Sequence, residues 1–370
     1  MENLHGRFGN VFGQIYRNRK VLITGHTGFK GAWLSLWLHR LGSNVIGYAL
    51  KPPTQPNLFE LCDLNAKVTS IQGDVRDFGH LKSVIQEYKP EIVFHLAAQA
   101  LVRRSYSEPL ETYSTNVMGT VHLLEAVRQI GGVRVLINVT SDKCYENREW
   151  VWGYRENDPM GGHDPYSSSK GCSELITAAY TKSYFHPDHY EKHGVSVASV
   201  RSGNVIGGGD WAEDRLLPDC MKALLEDKTI VIRYPDAVRP WQHVLEPLFG
   251  YLLLAQLLYE DGASSGEAWN FGPDDENGKP VRWLVERIVE IWGGKASWRI
   301  DQDFQLHEAR MLKLDCSKAK SKLGWHPQWD LETSLKNTIE WYRAYRHHED
   351  MFLATMNQIK DHEEGIKKRR

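Results

Sequence analysis

The first two hundred residues alternate short apolar runs with stretches of helical periodicity, and this alternation constrains the fold more than any other feature of the sequence. Strands separated by helices imply parallel strands joined by right-handed crossovers. The runs are nearly all apolar rather than alternating, as expected of strands covered on both faces. The pattern predicts an α/β fold with a doubly wound parallel sheet. The predicted strands lie at 20–24, 44–49, 67–72, 91–98, 133–140 and 194–204.

The residue composition of the sequence changes after about residue 204. Glycine, proline and tryptophan become denser, in loops that alternate with helical segments. This predicts a smaller, mixed α/β lobe that closes over the carboxyl ends of the strands. We therefore divide the chain into a doubly wound domain over 1–203, a second lobe over 204–350 and a charged tail over 351–370. The alternative is that the second lobe interleaves with the first domain.

The segment VLITGHTGFKG places Gly25, Gly28 and Gly31 directly after the first apolar run and at the start of a helix. Glycines there let the backbone approach a pyrophosphate, and the free N–H groups of the helix N-terminus attract negative charge. The spacing is G-x-x-G-x-x-G rather than the commoner G-x-G-x-x-G, and an ordinary strand–turn–helix is the alternative. Its place in the first strand–helix unit predicts a dinucleotide cofactor.

The end of the second strand leaves the choice between NAD and NADP open. It reads GYALKPP, with no acidic residue to hold the ribose hydroxyls of NAD. Lys51 would suit a 2′-phosphate instead. Asp74 ends a later strand, where we expect it to accept a hydrogen bond from the adenine amino group. A solvated turn aspartate is the alternative interpretation.

Tyr166 and Lys170, in DPYSSSKG, are four residues apart and share one face of a helix. A nearby cation favours phenolate and lowers the pKa of a tyrosine below its ordinary value of about 10. With the glycine turn, the pair predicts a nicotinamide-dependent site. Ser141, Asp142 and Lys143, some twenty residues upstream, predict an extra acid and base beside it. An ion pair at a strand end is the structural alternative for Asp142 and Lys143.

Composition excludes several classes of function. A net charge of −2 shows no electrostatic footprint for nucleic acid. The most apolar stretch, from Leu248, is too short to span a bilayer, and the first twenty residues show no signal peptide. The sixteen histidines show no metal-ligand spacing, so we expect no metal. Five cysteines without a disulfide pattern indicate reduced thiols in the cytoplasm: Cys62, Cys144, Cys172, Cys220 and Cys316.

These residues resemble the extended short-chain dehydrogenase/reductase family, through TGHTGFKG at the turn, HLAAQ after the fourth strand and Tyr166-x-x-x-Lys170. The resemblance runs from about Lys20 to Tyr345 and implies a Rossmann domain with a nucleotide-sugar lobe. Within the family the chain looks most like the nucleotide-sugar 4,6-dehydratases, which carry a hydroxyl–acid–base trio after the fifth strand. The segments TSDKCYE, GGHDPYSSSKG and LKLDCSKA are most similar to those of family members acting on CDP-glucose. For such members the resemblance implies NAD as the cofactor.

The resemblance implies a role for each catalytic residue. Tyr166, beside Lys170 and Ser141, takes the proton of the sugar C4 hydroxyl, and Asp142 protonates the departing C6 hydroxyl. Relatives acting on dTDP-glucose have glutamate where this chain has Lys143, and threonine where it has Ser141. The base that removes the C5 proton is therefore open: Lys143 acts as that base if its neutral amine form is favoured, or else stays charged and stabilises the enolate.

The turn and the resemblance together also imply binding residues, each with a structural or surface role as the alternative. The cofactor set is Gly25, His26, Thr27, Gly28, Phe29, Lys30, Gly31, Asp74, Val75, Ala97, Ala98, Gln99, Asn116, Thr140, Tyr166 and Lys170. The substrate set is Gln99, Arg104, Asn204, Arg239 and Arg310, with weaker expectations for His307 and Glu308.

The leading interpretation is a 4,6-dehydratase of deoxysugar biosynthesis for surface polysaccharide such as lipopolysaccharide O-antigen. The alternatives are a 4-epimerase or 4-ketoreductase of the same fold, a dehydratase acting on another nucleotide hexose, and a non-catalytic dinucleotide sensor or scaffold. The trio argues against an epimerase, which expels no water, and an activated tyrosine argues against a sensor. Family members dimerise through helices matching 107–130 and 164–185, so we expect a homodimer or a dimer of dimers.

Overall fold

Strands and helices alternate through the first two hundred residues of the structure, a computed structural model that describes residues 11–301 and 311–369. The strands are β1 (Lys20–Thr24), β2 (Asn44–Ala49), β3 (Thr69–Gln72), β4 (Ile92–His95), β5 (Val135–Val139), β6 (Ser196–Ser202), β7 (Val205–Ile206), β8 (Ile230–Ile232), β9 (Val238–Pro240), β10 (Gln242–His243), β11 (Ala268–Phe271), β12 (Gly278–Pro280) and β13 (Trp298–Ile300).

The helices cover this sheet and build the second lobe. They are α1 (Phe29–Arg40), α2 (Leu58–Leu61), α3 (Phe78–Tyr88), α4 (Val102–Ser107), α5 (Pro109–Tyr113), α6 (Gly119–Ile130), α7 (Pro165–Ser183), α8 (Tyr190–His193), α9 (Leu216–Leu225), α10 (Leu245–Asp261), α11 (Val281–Trp292), α12 (Leu331–Arg346) and α13 (Met351–Arg369). A π-helical turn, Ser114–Met118, joins α5 to α6.

The central sheet has seven strands in the order β3-β2-β1-β4-β5-β6-β11, and every neighbouring pair is parallel. The predicted doubly wound parallel sheet is therefore confirmed. The chain leaves β1 in one direction and returns to β4 on the other side, so the sheet reverses its order between these two strands. In open α/β sheets the crevice outside the carboxyl ends at such a reversal is where ligands bind.

The strands are apolar along their length because the sheet is buried on both faces. Val21 and Ile23 of β1 join one hydrophobic core, with α1 and α10, while Leu22 between them joins the other, with α3 and α6. All three are at most 1% exposed. Burying such side chains is the main favourable term for the layered architecture, at about 1.5–3 kcal/mol each.

Residues beyond 204 do not form a separate layer. Three two-stranded sheets, β7 with β10, β9 with β12 and β8 with β13, build the second lobe. Between them the chain returns to the central sheet, where β11 pairs with β6 in parallel register, Ala268 opposite Ser199 and Phe271 opposite Ser202. The two regions therefore interleave.

Residues 351–369 form the long helix α13, where the sequence predicts only a charged tail. One face of α13 is buried, and its polar side chains there have partners. Trp37 Nε1 donates to Glu363 Oε1 at 2.9 Å, and His362 Nε2 lies 3.0 Å from Glu246 Oε1. The composition hid this helix because its buried face carries histidine and glutamate as well as apolar residues.

Within the ranges 11–301 and 311–369, no helix combines the length and apolar character needed to cross a membrane.

Candidate active site

The glycine turn sits at the reversal point of the sheet, and two of its glycines cannot be replaced without strain. Gly25 has φ +79°, and a Cβ there would lie 2.8 Å from the backbone nitrogen of Ala97, which follows β4. A Cβ at Gly31 would overlap the carbonyl oxygen of Gly25. The turn after β1 is therefore packed directly against the loop after β4, as the sequence motif predicts.

The start of α1 fits a dinucleotide pyrophosphate. Gly28 is the N-cap residue and offers no side-chain cap, and the first turn of α1 carries no acidic residue. A Cβ on Gly28 would meet only the carbonyl oxygen of Gly25, at 3.4 Å, so the space in front of the helix is open at this point. Uncapped N–H groups and the positive end of the helix dipole suit a phosphate there.

Three side chains of the predicted cofactor set instead support the turn from within. His26 is fully buried, its Nε2 lies 2.7 Å from Ser70 Oγ, and burial lowers the pKa of its ring to about 4. Thr27 Oγ1 donates to the carbonyl of Leu50 at 3.0 Å. These contacts are long-range pairings that the motif does not encode.

Lys30 is the third of these side chains, and it points toward the catalytic residues. Its Nζ donates to Ser202 Oγ at 2.7 Å, at the end of β6. Burial, helped by the positive charges of Arg215 and Lys170, lowers the pKa of Lys30 to about 7, while Asp142 opposes this. Lys30 therefore links the dinucleotide turn to the acid site.

Asp74 is engaged by a neighbour. Arg76 Nη2 lies 2.6 Å from Asp74 Oδ2, and the hydrogen bond from Arg76 lowers the pKa of the carboxyl group. The predicted contact with the adenine amino group remains a prediction and competes with this ion pair.

The turn after β5 holds the predicted acid. Ser141 Oγ accepts the backbone N–H of Lys143 at 3.2 Å and donates to Asp142 Oδ1 at 3.0 Å. Asp142 is 3% exposed, and a Cβ on Gly203 would lie only 2.9 Å from its Oδ2. Burial raises the pKa of Asp142 above its ordinary value. The charge of Lys143, the hydrogen bond from Ser141 and the charges of Lys30 and Arg239 act in the opposite direction. The raised pKa favours the protonated carboxyl group that an acid catalyst needs.

Helix α7 begins where it does because Asp164 caps it. Asp164 Oδ1 accepts the backbone N–H of Ser167 at 2.9 Å, and Pro165 occupies the first helical position. Tyr166 and Lys170 follow on one buried face. A Cβ on Gly171 would lie 3.3 Å from the Cys144 carbonyl oxygen, so glycine lets α7 approach the catalytic turn closely.

Ser141 bridges the two predicted catalytic groups. Its hydroxyl donates to Asp142 Oδ1 at 3.0 Å, and both Ser141 and Asp142 act on the pKa of Tyr166. The tyrosine and the carboxyl group therefore face the same buried space, as the sequence interpretation required.

The pKa of Tyr166 departs from expectation. Burial raises it to about 12, and the lowering effects come mainly from the hydrogen bond with Ser141 and the charge of Arg215. The expectation that Lys170 brings this pKa below 10 is therefore wrong, because burial dominates. Lys170 is itself buried, donates to the carbonyl of Val139 at 3.3 Å, and has a pKa lowered by burial to about 8. Arg215 was missed, since no local motif links the second lobe to Tyr166.

Gln99 and Asn116 hold the loop after β4 in place. Asn116 Oδ1 accepts the backbone N–H of Gln99 at 2.8 Å, and Asn116 Nδ2 donates to the Gln99 carbonyl and to Ser169 Oγ on α7. Thr140 is bonded to Glu174. Val75 is buried, while Ala97 and Ala98 are half-buried. Their contacts with a cofactor remain predictions.

The predicted substrate residues are dispersed. Asn204 and Arg239 are half-buried in the second lobe, and the charge of Arg239 lowers the pKa of Asp142. Arg104 is instead held by Glu108 at 2.9 Å and Glu111 at 3.1 Å, with its side chain 49% exposed. This surface ion pairing differs from the expected ligand contact. Arg310, His307 and Glu308 lie outside the described residues.

Comparison with known proteins agrees with this geometry. The family model described as GDP-mannose 4,6 dehydratase matches residues 22–338. CDP-glucose 4,6-dehydratase of Salmonella typhimurium is 57% identical over 348 residues, which cover 94% of this chain and 97% of that protein.

Two solved structures share the fold. UDP-glucose 4-epimerase of Thermotoga maritima, with UDP-glucose, is 25% identical and superposes with a TM-score of 0.75, covering 88% of this chain and 99% of that one. MoeE5 in complex with UDP-glucuronic acid and NAD is also 25% identical, with a TM-score of 0.73 and the same coverage. The resemblance seen in the sequence is thus confirmed, and the chain belongs to the GDP-mannose 4,6 dehydratase family, among the nucleotide-sugar 4,6-dehydratases of the extended short-chain dehydrogenases/reductases.

Proposed function

We propose that this protein is an NAD-dependent CDP-glucose 4,6-dehydratase, a lyase that converts CDP-D-glucose to CDP-4-keto-6-deoxy-D-glucose and water. The observation that carries the proposal is the shared site of three residues: Ser141 donates to Asp142 at 3.0 Å, and both residues act on the pKa of the buried Tyr166. An epimerase needs the tyrosine but has no use for an acid that expels water. The 57% identity to CDP-glucose 4,6-dehydratase supports the choice of substrate.

The residues present fit a dinucleotide. NAD, when bound, supplies a reversible hydride acceptor for the sugar. The Gly25–Gly31 turn and the uncapped N-terminus of α1 would hold its pyrophosphate, and Tyr166 and Lys170 would face its nicotinamide riboside. The relative solved with NAD supports this cofactor over NADP.

Tyr166 is the proposed base for the C4 hydroxyl proton. Its phenolate needs stabilisation because burial raises the pKa to about 12. Ser141 contributes a hydrogen bond and Arg215 a positive charge from the second lobe. The proton leaves the C4 oxygen for the Tyr166 phenolate oxygen as the ketone forms.

Asp142 is the proposed acid for the C6 hydroxyl. Its raised pKa favours the protonated carboxyl group, and this proton passes to the C6 oxygen as water departs. The carboxylate left behind is stabilised by Lys143, Lys30 and Arg239, which all lower the pKa of Asp142. We propose that Lys143, which lowers the pKa of Asp142, stabilises the enolate and that another group removes the C5 proton.

We also propose the division into a dinucleotide-binding domain over 1–203 and a nucleotide-sugar lobe over 204–350, with β11 returned to the first, in a cytoplasmic protein. A homodimer through α4–α7 and the π-helical turn is part of this proposal. Large apolar side chains are exposed there: Tyr106 at 47%, Leu110 at 86%, Met118 at 45% and Leu175 at 60%. Apolar patches of this kind mark protein contacts.

The test is incubation with CDP-glucose and NAD, followed by mass spectrometry of the sugar nucleotide and absorbance at 340 nm. We expect a product lighter by one water with no net change in reduced cofactor. A product of unchanged mass indicates an epimerase, and stoichiometric cofactor oxidation or reduction indicates a ketoreductase. An absence of product with CDP-, dTDP- and GDP-glucose contradicts the dehydratase proposal.

A further inference from the structure

Glu174 lies one helical turn beyond Lys170 on α7, so Tyr166, Lys170 and Glu174 occupy one face of that helix. Its side chain is 4% exposed. The carboxylate accepts four hydrogen bonds, from Thr140 Oγ1, from Ser199 Oγ at 2.6 Å, and from Arg201 Nε at 2.9 Å and Nη2 at 2.8 Å. A buried carboxylate this fully bonded is locked in place.

Arg201 connects this carboxylate to the catalytic turn. Its side chain is also 4% exposed, and its Nη1 donates to Tyr145 Oη at 2.6 Å and to the Glu156 carbonyl at 3.1 Å. Tyr145 directly follows the turn that carries Asp142, and Tyr145 Oη donates onward to Asn270 on β11 at 2.7 Å. The pair thus connects α7 to Tyr145 after the catalytic turn and, through Tyr145, to Asn270 of β11.

The charge of Glu174 acts on Lys170. Burial by itself raises the pKa of Glu174, but hydrogen bonds from Arg201, Ser199 and Thr140 outweigh it, so the pKa lies below its ordinary value. Burial lowers the pKa of Lys170, and Glu174 is the largest influence in the opposite direction.

The other titratable groups that interact with Lys170 carry no negative charge at neutral pH. Burial raises the pKa of the Cys144 thiol well above its usual range and lowers the pKa of His95 to about 3. Lys30 is a second cation or a neutral amine. Among the titratable groups of the described residues that act on Lys170, Glu174 is therefore the one that is negatively charged at neutral pH.

We propose that Glu174, held by Arg201, is a positioning residue of the reaction: its carboxylate is the counter-charge of the Lys170 ammonium and keeps the Ser141–Lys143 turn in register with Tyr166. This inference rests on the proposed function, because it assigns Lys170 a role during turnover.

The test is the pH profile of Glu174→Gln. Removing the carboxylate lowers the pKa of Lys170, so Lys170 loses its proton at a lower pH and the alkaline limb of kcat moves down. We expect a shift of about one pH unit, seen as a roughly tenfold larger loss of kcat at pH 9 than at pH 6. Glu174→Asp restores the charge, and its alkaline limb returns to the parent position even where kcat is lower. A uniform loss at every pH, in both variants, overturns the proposal.

Glu174→Gln leaves the Arg201 guanidinium buried without its partner, which is costly. The double variant Glu174→Gln/Arg201→Met removes both charges and carries the test where the single variant does not fold. Its alkaline limb still lies below that of the parent, because Glu174, rather than Arg201, is the charge that acts on Lys170. An alkaline limb at the parent position overturns the proposal.

A second readout does not depend on turnover. Protein labelled with 13Cε-lysine reports the titration of Lys170 by NMR, with Lys170→Met identifying its signal. The midpoint falls in Glu174→Gln and returns in Glu174→Asp, and identical midpoints in all three proteins overturn the inference. Failure of the proposed function is distinct: the parent then makes no dehydrated product from CDP-glucose, whatever the NMR midpoints are.

Discussion

The two ends of the cleft are built differently. At the chemical end, Asp142 and Tyr166 are at most 9% exposed and lie on a turn directly after β5 and on the 19-residue helix α7. At the proposed nucleotide end, Asn204 directly precedes the two-residue strand β7 and Arg239 lies within the three-residue strand β9, and both are half-buried. On the proposed assignment, rigid, hydrogen-bonded elements carry the reaction, and short elements of the second lobe carry the choice of substrate.

Two cations of the second lobe act across this division: Arg239 lowers the pKa of Asp142, and Arg215 lowers that of Tyr166. Arg215, in the second lobe, pairs with Asp210 at 3.1 Å and also lowers the pKa of Tyr166. Its side chain is 37% exposed, against 4% for that of Asp210. In the proposed mechanism the second lobe therefore contributes a charge to the chemistry in addition to the proposed contacts with the nucleotide.

The largest expected effect is that of Tyr166→Phe, which removes the base at the chemical end. We expect kcat to fall by about 10³–10⁴-fold with NAD affinity nearly unchanged, since general base catalysis supplies that much. Steady-state kinetics and a cofactor-binding titration measure the two quantities. Tyr180→Phe, further along α7, is the matched control and retains the parent rate. If Tyr166→Phe retains more than a tenth of the parent kcat, Tyr166 is not the base that takes the C4 hydroxyl proton.

Asp142→Asn separates the acid from the base within the same end. We expect kcat to fall by about 10²–10³-fold, because an amide cannot protonate the departing hydroxyl. Oxidation at C4 still proceeds, so absorbance at 340 nm rises when CDP-glucose is added and persists. Keto-deoxy product at the parent rate, with no rise in absorbance, shows that Asp142 is not the acid.

Arg239→Met tests the nucleotide end. Loss of charge-assisted hydrogen bonds worth about 1.5–3 kcal/mol raises KM for CDP-glucose about 10- to 100-fold. We expect kcat to change by less than about threefold, because Arg239 has the smallest effect of the three cations that lower the pKa of Asp142. Arg104→Met is the control, because its ion pairs with Glu108 and Glu111 hold it on the surface, and both constants stay at parent values. A fall in kcat as large as the rise in KM for Arg239→Met would show that the two ends do not have separate roles.

Arg215→Met has the smallest expected effect and tests whether the charge of Arg215, in the second lobe, acts on Tyr166. Arg215 lowers the pKa of Tyr166, so its removal raises that pKa, and activity that needs the phenolate begins at a higher pH. We expect the acid limb of kcat to move up by about half a unit to one unit. Arg215→Lys keeps the charge and the parent profile. An unmoved acid limb in Arg215→Met confines the second lobe to binding.

The sequence was informative wherever a local pattern carries the structure. The six predicted strands match β1–β6 in position, because apolar runs and glycine turns report burial and backbone geometry directly. Tyr166 and Lys170 share a face because helical spacing guarantees it, and their position beside Ser141 follows from the order of strands in a parallel sheet.

The remainder depends on contacts between residues far apart in the chain. The inward ring of His26, the Glu174–Arg201 pair and the action of Arg215 on Tyr166 join positions 27 to 49 residues apart. No spacing encodes such pairs. Helix α13 was missed for the same reason, since its buried glutamate and histidine are satisfied by α1 and α10.

The return of the chain to the central sheet has a consequence during synthesis. β6 is complete at residue 202, but its outer neighbour β11 does not emerge until residue 271. A growing chain on the ribosome therefore carries an unpaired β6 edge for some seventy residues, and such edges recruit other strands. Premature termination between these two points is expected to yield aggregates rather than a smaller folded protein.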